Sequence, residues 1–550
     1  MKQLQTLDYV VFLLYFVSVT SYGYWIYQRK KKAEVSTKDF FLAEGSLTWW
    51  AIGASLLASN ISAEHFIGMS GSGFAIGLAI SSYEWMSAAA LVIVAVFFIP
   101  IFLKNKIYTM PQFLNQRYNS KVAMIMAVFW LLLYVGVNLT SILYLGALAI
   151  NSISGINLTL CMGLLALFAI FITLGGMKVI GYTDVIQVFF LILGGLITTY
   201  LALDLVAEKF GGNGMLQGFG FLQNKAQDHF QMILPQENKY FMDLPGLTVL
   251  IGGMWIVNLN YWGCNQYITQ RALGAKLETA RKGILFAGFM KLFMPVIVML
   301  PGIAAFVLYK NGQLPGFEGG KDGAYSAILA FLPDGLKGLA IAALTAAIVA
   351  SLAGKANSIS TIFTLDIYKK YINQGADEKK LVWTGRLTVF ISMVIAVIFT
   401  WKDLLGIGGE GGFTFIQKYT GFISPGVFAM FMLGFFWKRT TGAAAMTGLI
   451  TGFLLAIFFN SYAIPLFGTD NIMYTAYLNK SGVYEIPFLI NMGWSFVLTI
   501  IIMVIVSMAG PKVNPKAFEI DASMFKVSKS TLVLIVIILM LLSALYVKFW

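Results

Sequence analysis

The stretch AIGASLLASNISAEHFIGMSGSGFAIGLAI, residues 51–80, is long and apolar enough to cross a membrane, but polar residues interrupt its middle. Five of the seven residues from Ser59 to His65 have polar side chains, and the glycines and serines that follow relax a helix further. An unwound segment at this depth frees backbone carbonyl oxygens, which are hard ligands suited to Na⁺. We therefore predict a membrane helix that is broken near its centre at an ion-binding segment. The alternative is a Ser/Gly-rich helix interface with a satisfied polar patch.

Similar apolar stretches recur along all 550 residues, of which 58% are hydrophobic and 11% charged. A hydrocarbon core about 30 Å thick needs roughly 20 apolar residues per helical span, and helices satisfy their own backbone hydrogen bonds there. The chain is therefore predicted to be an all-α polytopic membrane protein. We place about fourteen spans at residues 8–28, 48–75, 80–104, 122–152, 157–176, 183–206, 246–271, 282–310, 338–369, 381–401, 413–436, 441–461, 485–508 and 529–549.

Charge placement predicts the orientation of the spans. The first span ends in Arg29-Lys30-Lys31-Lys32 without a small-residue cleavage site, which favours a retained helix over a signal peptide. Most of the 38 basic residues fall in loops on the same side as this cluster. The positive-inside rule then puts both termini outside in a multi-pass plasma-membrane protein. The net charge of +13 is thus a topology signal that needs no nucleic-acid partner.

Further polar residues stand inside predicted spans, where ionisable groups must face protein or water. Glu84 and Ser87 lie in the third span, and Lys291 in the eighth is the natural partner for Glu84. A carboxylate–ammonium pair suits a hydroxyl-rich ligand, although it could also be a purely structural ion pair.

Three more spans carry polar groups that could meet a solute. Asn258 precedes Tyr261 and Trp262 in the seventh span; amides bind sugar hydroxyls and aromatic rings pack on sugar C–H faces, although an interfacial aromatic belt has the same composition. The ninth span has small residues that allow close helix packing, with Ser351 and Lys355 on one face, and the eleventh contains Gln417.

These segments resemble the sodium/glucose cotransporter branch of the solute:sodium symporters. The resemblance rests on Asn60–His65, Tyr83-Glu84-Trp85, Asn258…Tyr261-Trp262, the stretch AAIVASLA ending in TIFTLDIY, and FIQKYTGFISPG. It runs in order from about residue 35 to 440, and more loosely to the C-terminal Phe549-Trp550.

The resemblance implies a ten-helix LeuT-like core of two inverted five-helix repeats, in which the second and seventh spans open the two repeats. One extra helix precedes this core and three follow it. The chain would then be a single transporter domain over 1–550, with an extra N-terminal helix and cytoplasmic loop in 1–45, the core in 46–440 and additional helices in 441–550.

The resemblance also implies roles for individual residues. The sugar site would comprise Asn60, His65, Glu84, Ser87, Asn258, Lys291 and Gln417, with Tyr261 as the inner gate beside Trp262 and with Met69, Tyr83 and Phe413 as the outer lid. The sodium site would use the carbonyls of Ala58, Ile61 and Ala347 and the hydroxyl of Ser351, with Asp184 near the sodium route.

Several positions depart from the family pattern. His65 stands where some bacterial members have glutamine, and it keeps a group that can bind hydroxyls. Ala350 stands where many members offer sodium a second serine hydroxyl. Members that bind a second sodium supply hydroxyls just after this point, whereas this chain has Ala353, Gly354 and Lys355, so we expect one sodium.

The expected function is secondary active symport of sodium with a small neutral sugar, without a cofactor. Other solutes remain open: an inositol, an amino acid, a carboxylate or sialic acid, although Glu84 would repel a carboxylate unless Lys291 neutralised it. A non-transporting sugar sensor or a sodium leak channel is less favoured, because sensors usually append a signalling module. With two histidines, two cysteines in apolar segments and no P-loop, nothing favours an enzyme or direct use of ATP. The oligomeric state is not predicted.

Lys355 has two possible roles. Its ammonium could act as a tethered cation paired with Asp184 in place of a second sodium. Alternatively, the side chain could snorkel to the cytoplasmic surface near the helix end.

Overall fold

The computed structural model describes residues 4–30, 40–41, 47–315, 317, 320–401, 417, 420–479 and 482–550. Among these residues, ten helices are long and apolar enough to cross a membrane. They are Thr6–Gln28, Leu78–Lys104, Ser120–Ser154, Gly176–Lys209, Leu277–Lys310, Leu336–Ile372, Glu378–Thr400, Gly442–Phe467, Phe488–Met508 and Lys529–Phe549. The predicted all-α polytopic class is confirmed.

Four of the predicted spans have no counterpart among these ten helices. The predicted spans 157–176 and 413–436 correspond to the shorter apolar helices Leu158–Thr173 and Ser424–Phe436. The other two, 48–75 and 246–271, are interrupted in the structure. The count of fourteen therefore stays a prediction.

The chain forms two compact units, each assembled from three separate stretches of sequence. The first unit contains Met1–Ser81, Ala127–Gln231 and Gln270–Ile416, and the second contains Ser82–Met126, Met232–Thr269 and Gln417–Trp550. Helices Ser120–Leu132 and Gln266–Leu273 also belong to the part of the chain that the structure describes.

In the first unit, the long helix Leu336–Thr361 is the central element, because 24 of its 26 residues are buried. Helices Gly176–Lys209, Leu158–Thr173, Thr6–Lys30 and Trp49–Asn60 pack against it. The remaining helical segments of this unit are Glu64–Met69, Ser70–Ala75, Leu78–Ser81, Leu133–Leu139, Thr140–Ser154, Gly214–Lys225, Gln227–Phe230, Leu277–Lys291, Met294–Lys310, Lys321–Gly323, Ala324–Leu329, Ile362–Ile372 and Glu378–Thr400.

The N-terminal helix is attached to the start of this central helix by a buried acid. Asp8 accepts hydrogen bonds from the backbone N–H groups of Gly335 and Gly338, at 2.7 and 2.9 Å. A carboxylate at a helix N-terminus satisfies N–H groups that have no partner within the helix and complements the helix dipole.

In the second unit, helix Gly253–Cys264 packs against Ser82–Ile93, Ser424–Phe436 and Phe488–Met508, and helix Lys529–Phe549 covers Ser82–Ile93. The other helical segments are Val94–Phe98, Ile99–Lys104, Met110–Arg117, Thr248–Ile251, Gly442–Ile457, Phe458–Tyr462, Ala463–Phe467 and Ala522–Phe525. Strands Tyr477–Leu478 and Tyr484–Glu485 pair antiparallel, with Tyr477 opposite Glu485 and Leu478 opposite Tyr484.

The second and seventh predicted spans, whose apolar pattern contains polar residues, are both interrupted in the structure. Helix Trp49–Asn60 ends at Ile61, whose φ of −79° and ψ of 115° are extended. Helix Gly253–Cys264 ends at Asn265, with φ −98° and ψ 128°, and a new helix begins at Gln266. The predicted break of the second span is confirmed.

A buried arginine holds the end of helix Ser424–Phe436 in the second unit. Arg117 is fully buried and donates through Nε to Gly434 O at 2.8 Å, through Nη1 to Thr440 O at 3.0 Å and through Nη2 to Trp437 O at 2.9 Å. The last carbonyls of a helix have no N–H partner within it, and a planar guanidinium can serve several of them at once.

We expect Arg117→Ala to destabilise the protein, because it removes three hydrogen bonds that a fully buried guanidinium donates to carbonyl groups. A hydrogen bond to a charged group contributes about 1.5–3 kcal/mol, so the loss of all three should lower the thermal midpoint by several degrees. Size-exclusion chromatography of heated, detergent-solubilised protein measures the shift. Lys121→Ala, which removes an exposed cation nearby, is the control. An Arg117→Ala midpoint equal to the control would contradict this capping role.

Candidate sodium and solute site

The break at Ile61 releases backbone carbonyls inside the first unit. The N–H of Ile61 still donates to Leu57 O at 2.8 Å. The next N–H, that of Ser62, instead faces Nδ1 of His65 at 3.4 Å, so it does not continue the helical ladder to Ala58 O. The last carbonyls of this helix therefore need partners from outside the helix.

The hydroxyl of Ser351 lies among these carbonyls. Its Oγ is 3.1 Å from Ala58 O and 3.2 Å from both Ser59 O and Ile61 O. One hydroxyl proton can serve only one of the three acceptors at a time. We call these three carbonyl oxygens and the Ser351 hydroxyl oxygen the carbonyl cluster.

The carbonyl cluster has the chemistry of a site for a hard cation. Ser351 and Ala58 are fully buried, so the cluster concentrates partial negative charge away from water. The helix dipole adds to that charge, because the carbonyls stand at a helix C-terminus. Ala347, the remaining predicted sodium ligand, lies one turn before Ser351 on the same helix and is also fully buried. Residues of this kind fit Na⁺, which binds oxygen ligands.

Asp184, on helix Gly176–Lys209, contacts Ser55, which lies one turn before Ser59 on helix Trp49–Asn60. Ser55 Oγ donates to Asp184 Oδ2 at 2.5 Å, and Arg271 Nε donates to Ser55 Oγ at 2.7 Å. Arg271 Nη2 is 3.7 Å from Asp184 Oδ2. All three side chains are buried. The structure thus gives Asp184 a cationic partner, Arg271, that the sequence analysis did not consider.

Lys355 is buried inside the first unit, with 3% of the residue exposed. A snorkelling lysine would present its ammonium to water, so the interpretation that Lys355 snorkels is wrong. The pairing of Lys355 with Asp184 stays a prediction.

Three of the predicted sugar ligands belong to the first unit. Lys291 is fully buried, and its Nζ donates a hydrogen bond to Asn60 Oδ1. His65 is buried in the π-helical turn Glu64–Met69 that follows the break, and Met69 of the predicted lid ends that turn. Asn60, His65 and Lys291 thus provide an amide, an imidazole and an ammonium within one unit.

The other predicted ligands belong to the second unit. Ser87 Oγ lies 2.5 Å from Asn258 Oδ1 and 2.7 Å from Tyr83 O, and Asn258 Nδ2 donates to Met254 O at 3.0 Å. These contacts join helices Ser82–Ile93 and Gly253–Cys264, and Glu84 is buried on the first of them.

The aromatic residues of the predicted gate pack edge to face. The rings of Tyr261 and Trp262 are 5.1 Å apart at 81°, and those of Tyr261 and Tyr267 are 5.7 Å apart at 83°. Trp262 is buried and Tyr261 is partly exposed, as expected of a ring that could move. Gln417 is also partly exposed, whereas Phe413 of the predicted lid lies outside the described residues.

Three contributions to this region were missed from the sequence. The role of the Ser59 carbonyl could have been predicted from the helix break, because the carbonyls just before a break all lose their N–H partners. Ser55 is one turn before Ser59, which places it on the same helix face. Arg271 stands at the last position of the predicted span 246–271, and nothing in the local pattern indicates that the short helix Gln266–Leu273 brings its side chain to Ser55.

Comparison with known proteins identifies the family of the chain. The family model described as the sodium:solute symporter family matches residues 40–452. A sodium/glucose cotransporter of Vibrio parahaemolyticus is 44% identical over 100% of this chain and 99% of its own length. The human sodium/myo-inositol cotransporter 2 is 34% identical over 83% of this chain and 70% of its own length.

Solved structures show the same fold at lower sequence identity. A Na⁺-coupled sialic acid symporter has a TM-score of 0.77 at 22% identity and covers 93% of this chain, with 99% of its own chain matched. A nucleobase-cation-symport-1 family transporter has a TM-score of 0.51 at 15% identity, covering 87% of this chain and 96% of its own. These two likenesses concern the fold alone. From the family match and the full-length relative, we conclude that the chain belongs to the sodium:solute symporter family.

Proposed function

We propose that this symporter imports a small neutral sugar, a galactose- or glucose-like hexose, and that one sodium ion enters with each sugar. The observation that carries the sodium half of the proposal is the carbonyl cluster, in which Ser351 Oγ lies within 3.2 Å of three carbonyl oxygens at a helix break. A bound sodium would contact these oxygens directly, and the Ser351 hydroxyl would keep its proton and point it away from the ion. Its ligands would be carbonyls of Ala58 and Ile61, the Ser351 hydroxyl and, from the resemblance, the Ala347 carbonyl.

Sodium binding at this position would organise the unwound backbone that also carries Asn60 and His65. The two residues lie within one turn of the cluster, so the same few residues of backbone would respond to both ion and solute. A ligand shifts a conformational equilibrium only by its difference in affinity between the two states. Coupling in alternating access would therefore follow if the unwound segment takes different conformations in the outward- and inward-facing states.

One sodium is energetically sufficient for sugar accumulation. A single charge that moves down about 100 mV releases about 2.3 kcal/mol. A tenfold sodium gradient adds about 1.4 kcal/mol. Together they support roughly 500-fold accumulation of a neutral solute.

The polar groups in each unit favour a neutral, hydroxyl-rich solute. The first unit offers Asn60, His65 and Lys291, and the second offers Glu84, Ser87, Asn258 and Gln417. Amides, a carboxylate and an ammonium can each bind a hydroxyl as donor or acceptor. Tyr261 and Trp262 are proposed as the inner gate, and Met69, Tyr83 and Phe413 as the outer lid.

The names of the relatives leave the exact solute to experiment. The Vibrio relative is named for glucose, the human relative for myo-inositol and the structural neighbour for sialic acid. The buried carboxylate of Glu84 should disfavour an acid, so a sugar or an inositol suits the residues better than sialic acid. We propose the plasma membrane as the location, with both termini outside.

The deciding experiment is uptake into proteoliposomes that contain the purified full-length protein. Labelled galactose, glucose, myo-inositol and sialic acid are compared under an inward sodium gradient and under an equal choline gradient. We expect sodium-dependent uptake of a hexose that exceeds uptake of the other solutes at least tenfold. Sodium-dependent uptake of sialic acid or myo-inositol alone would overturn the sugar proposal, and uptake that is equal in choline would overturn sodium coupling.

We expect Ser351→Ala to raise the sodium concentration needed for half-maximal uptake by about 10- to 150-fold. The reason is that it removes the one side-chain oxygen of the carbonyl cluster, and a buried hydrogen bond or ligand to a charged group contributes about 1.5–3 kcal/mol. The measurement is a sodium titration of sugar uptake.

The matched control is Thr345→Val on the same helix, because the buried Thr345 hydroxyl has no hydrogen-bond partner among the described residues. Thr345→Val should leave the sodium requirement unchanged. A Ser351→Ala protein with a sodium requirement within twofold of the wild type would rule out the carbonyl cluster as the sodium site.

We expect Glu84→Gln to weaken sugar binding by about 10- to 150-fold, for the same physical reason, while sodium binding without sugar is unaffected. Equilibrium binding of labelled sugar to detergent-solubilised protein measures the first effect, and ²²Na⁺ binding measures the second. Asp521→Asn, which neutralises an exposed acid of the same unit, is the control. Normal sugar binding by Glu84→Gln would show that the sugar site is misplaced.

A further inference from the structure

A groove runs along the N-terminal helix Thr6–Lys30 in the first unit. This helix and helix Leu158–Thr173 both pack against Gly176–Lys209 and Leu336–Thr361. Between the two helices lies a cavity of about 550 Å³ whose lining is almost entirely apolar and includes Phe171. Phe171 also lines a second cavity, of about 300 Å³, which lies nearer to the end of the N-terminal helix. Because one side chain lines both cavities, they are two parts of one groove.

The groove is open to the surface of the first unit. Leu164 and Leu167 line the larger cavity and are each more than half exposed, and Phe171 is nearly half exposed. Exposed apolar side chains on a helix inside the hydrocarbon core face the acyl chains of the lipid. An acyl chain can therefore enter the groove sideways from the bilayer.

The smaller cavity contains a cation, Arg386 of helix Glu378–Thr400. Its Nε is buried without a hydrogen-bond partner among the described residues, and no acidic partner of this side chain is found among them. The guanidinium carbon stands 5.8 Å from the centre of the Phe40 ring. An aromatic ring attracts a cation but does not neutralise its charge. A charge in a membrane-spanning helix is unfavourable unless it is paired, so Arg386 needs an anion from outside the chain.

The rest of the smaller cavity has the composition of a membrane interface. Tyr24 and Tyr27 line it from the N-terminal helix. This helix ends at Lys30, within the basic sequence Arg29-Lys30-Lys31-Lys32. Tyrosines are enriched at the level of the lipid headgroups, and a basic sequence directly after a span attracts anionic lipids. The smaller cavity thus lies where a headgroup is expected, at the end of the helix that the charge placement predicts to be cytoplasmic.

We propose that this groove, which we call the Arg386 groove, binds one anionic phospholipid. The phosphate of the lipid pairs with the Arg386 guanidinium, whose parallel N–H donors match phosphate oxygens. One acyl chain lies past Phe171, between helices Thr6–Lys30 and Leu158–Thr173. A lipid without net charge would fill the apolar part equally well but would leave the cation without a counter-charge. The bound lipid links the N-terminal helix to its neighbour, whichever solute or ion the protein transports.

The test is native mass spectrometry of the full-length protein, purified in detergent, delipidated and titrated with dioleoylphosphatidylglycerol. Dioleoylphosphatidylcholine has the same acyl chains without a net charge, and inorganic phosphate supplies the anion without acyl chains. We expect the wild type to bind one phosphatidylglycerol at least tenfold more tightly than phosphatidylcholine. An excess of inorganic phosphate should not displace this lipid, because the groove holds its acyl chain.

Four variants separate the cation from the groove. Arg386→Gln should weaken phosphatidylglycerol binding about 10- to 150-fold, because it removes hydrogen bonds to a charged group. Arg386→Lys keeps the cation and should bind more tightly than Arg386→Gln. Leu174→Trp fills the smaller cavity beside an intact Arg386 and should weaken the binding of both lipids. Lys379→Gln, which removes an exposed cation of the same helix outside the cavity, is the matched control and should bind as the wild type does.

A phosphatidylglycerol that carries a photoactivatable diazirine on one acyl chain locates the site. Its cross-links should map to residues 19–27 and 171–179 in the wild type, and they should be lost in Arg386→Gln. Equal affinity of the wild type for the two lipids, or wild-type phosphatidylglycerol affinity in Arg386→Gln, would overturn the proposal. The second result would assign lipid attraction to the basic sequence at residues 29–32.

Two measurements decide the question if Arg386→Gln yields no monodisperse protein. Cross-links at residues 19–27 and 171–179, together with weakened binding by Leu174→Trp, support the Arg386 groove. Cross-links elsewhere, or unchanged binding by Leu174→Trp, overturn it.

Discussion

The carbonyl oxygens at the end of helix Trp49–Asn60 are buried and have no N–H partner within the helix. They therefore need hydrogen-bond donors or a cation from elsewhere in the first unit, and this requirement determines which residues surround them. The helix stops at Ile61, and the Ser62 N–H faces His65 instead of continuing the ladder. Helix Leu336–Thr361 brings a single hydroxyl, that of Ser351, to three carbonyl oxygens. One hydroxyl proton cannot satisfy three buried acceptors, and we propose that a bound sodium ion supplies the missing interactions.

The same physical requirement explains the other buried charges of the molecule. Arg117 serves three carbonyls past a helix end, Lys291 donates to an amide oxygen, and Arg271 lies between a serine hydroxyl and a carboxylate. Each of these three buried cations has oxygen partners, because leaving such a group unpartnered would cost far more than a single hydrogen bond. Such groups contribute specificity to a bundle whose helix packing depends mostly on small and apolar side chains.

The sequence was informative wherever a local pattern decides the outcome. Apolar stretches of about 20 residues predicted the helical spans, and the polar segment from Ser59 to His65 predicted the break at Ile61. Backbone geometry of this kind depends on neighbours in sequence, so one chain is enough to predict it.

Contacts between distant residues were harder to predict. Asp184 and Arg271 are 87 positions apart, and an acid inside a span cannot indicate which of 38 basic residues it meets. Arg271 is the last residue of the predicted span 246–271, and helix Gln266–Leu273, which positions its side chain, is only eight residues long. The pairing of Lys355 with Asp184 rests on the layout that the resemblance implies, and it stays a prediction.

The most direct test of the carbonyl cluster as the sodium site is a high-resolution cryo-electron microscopy structure of the full-length protein in lipid nanodiscs, in sodium chloride and in choline chloride. The account predicts a density peak about 2.3–2.6 Å from the Ala58 and Ile61 carbonyl oxygens and the Ser351 hydroxyl. This peak should be present in sodium chloride and absent in choline chloride. A map in saturating sodium chloride that shows the ion bound elsewhere, with Ser351 still contacting the carbonyls directly, would contradict the account.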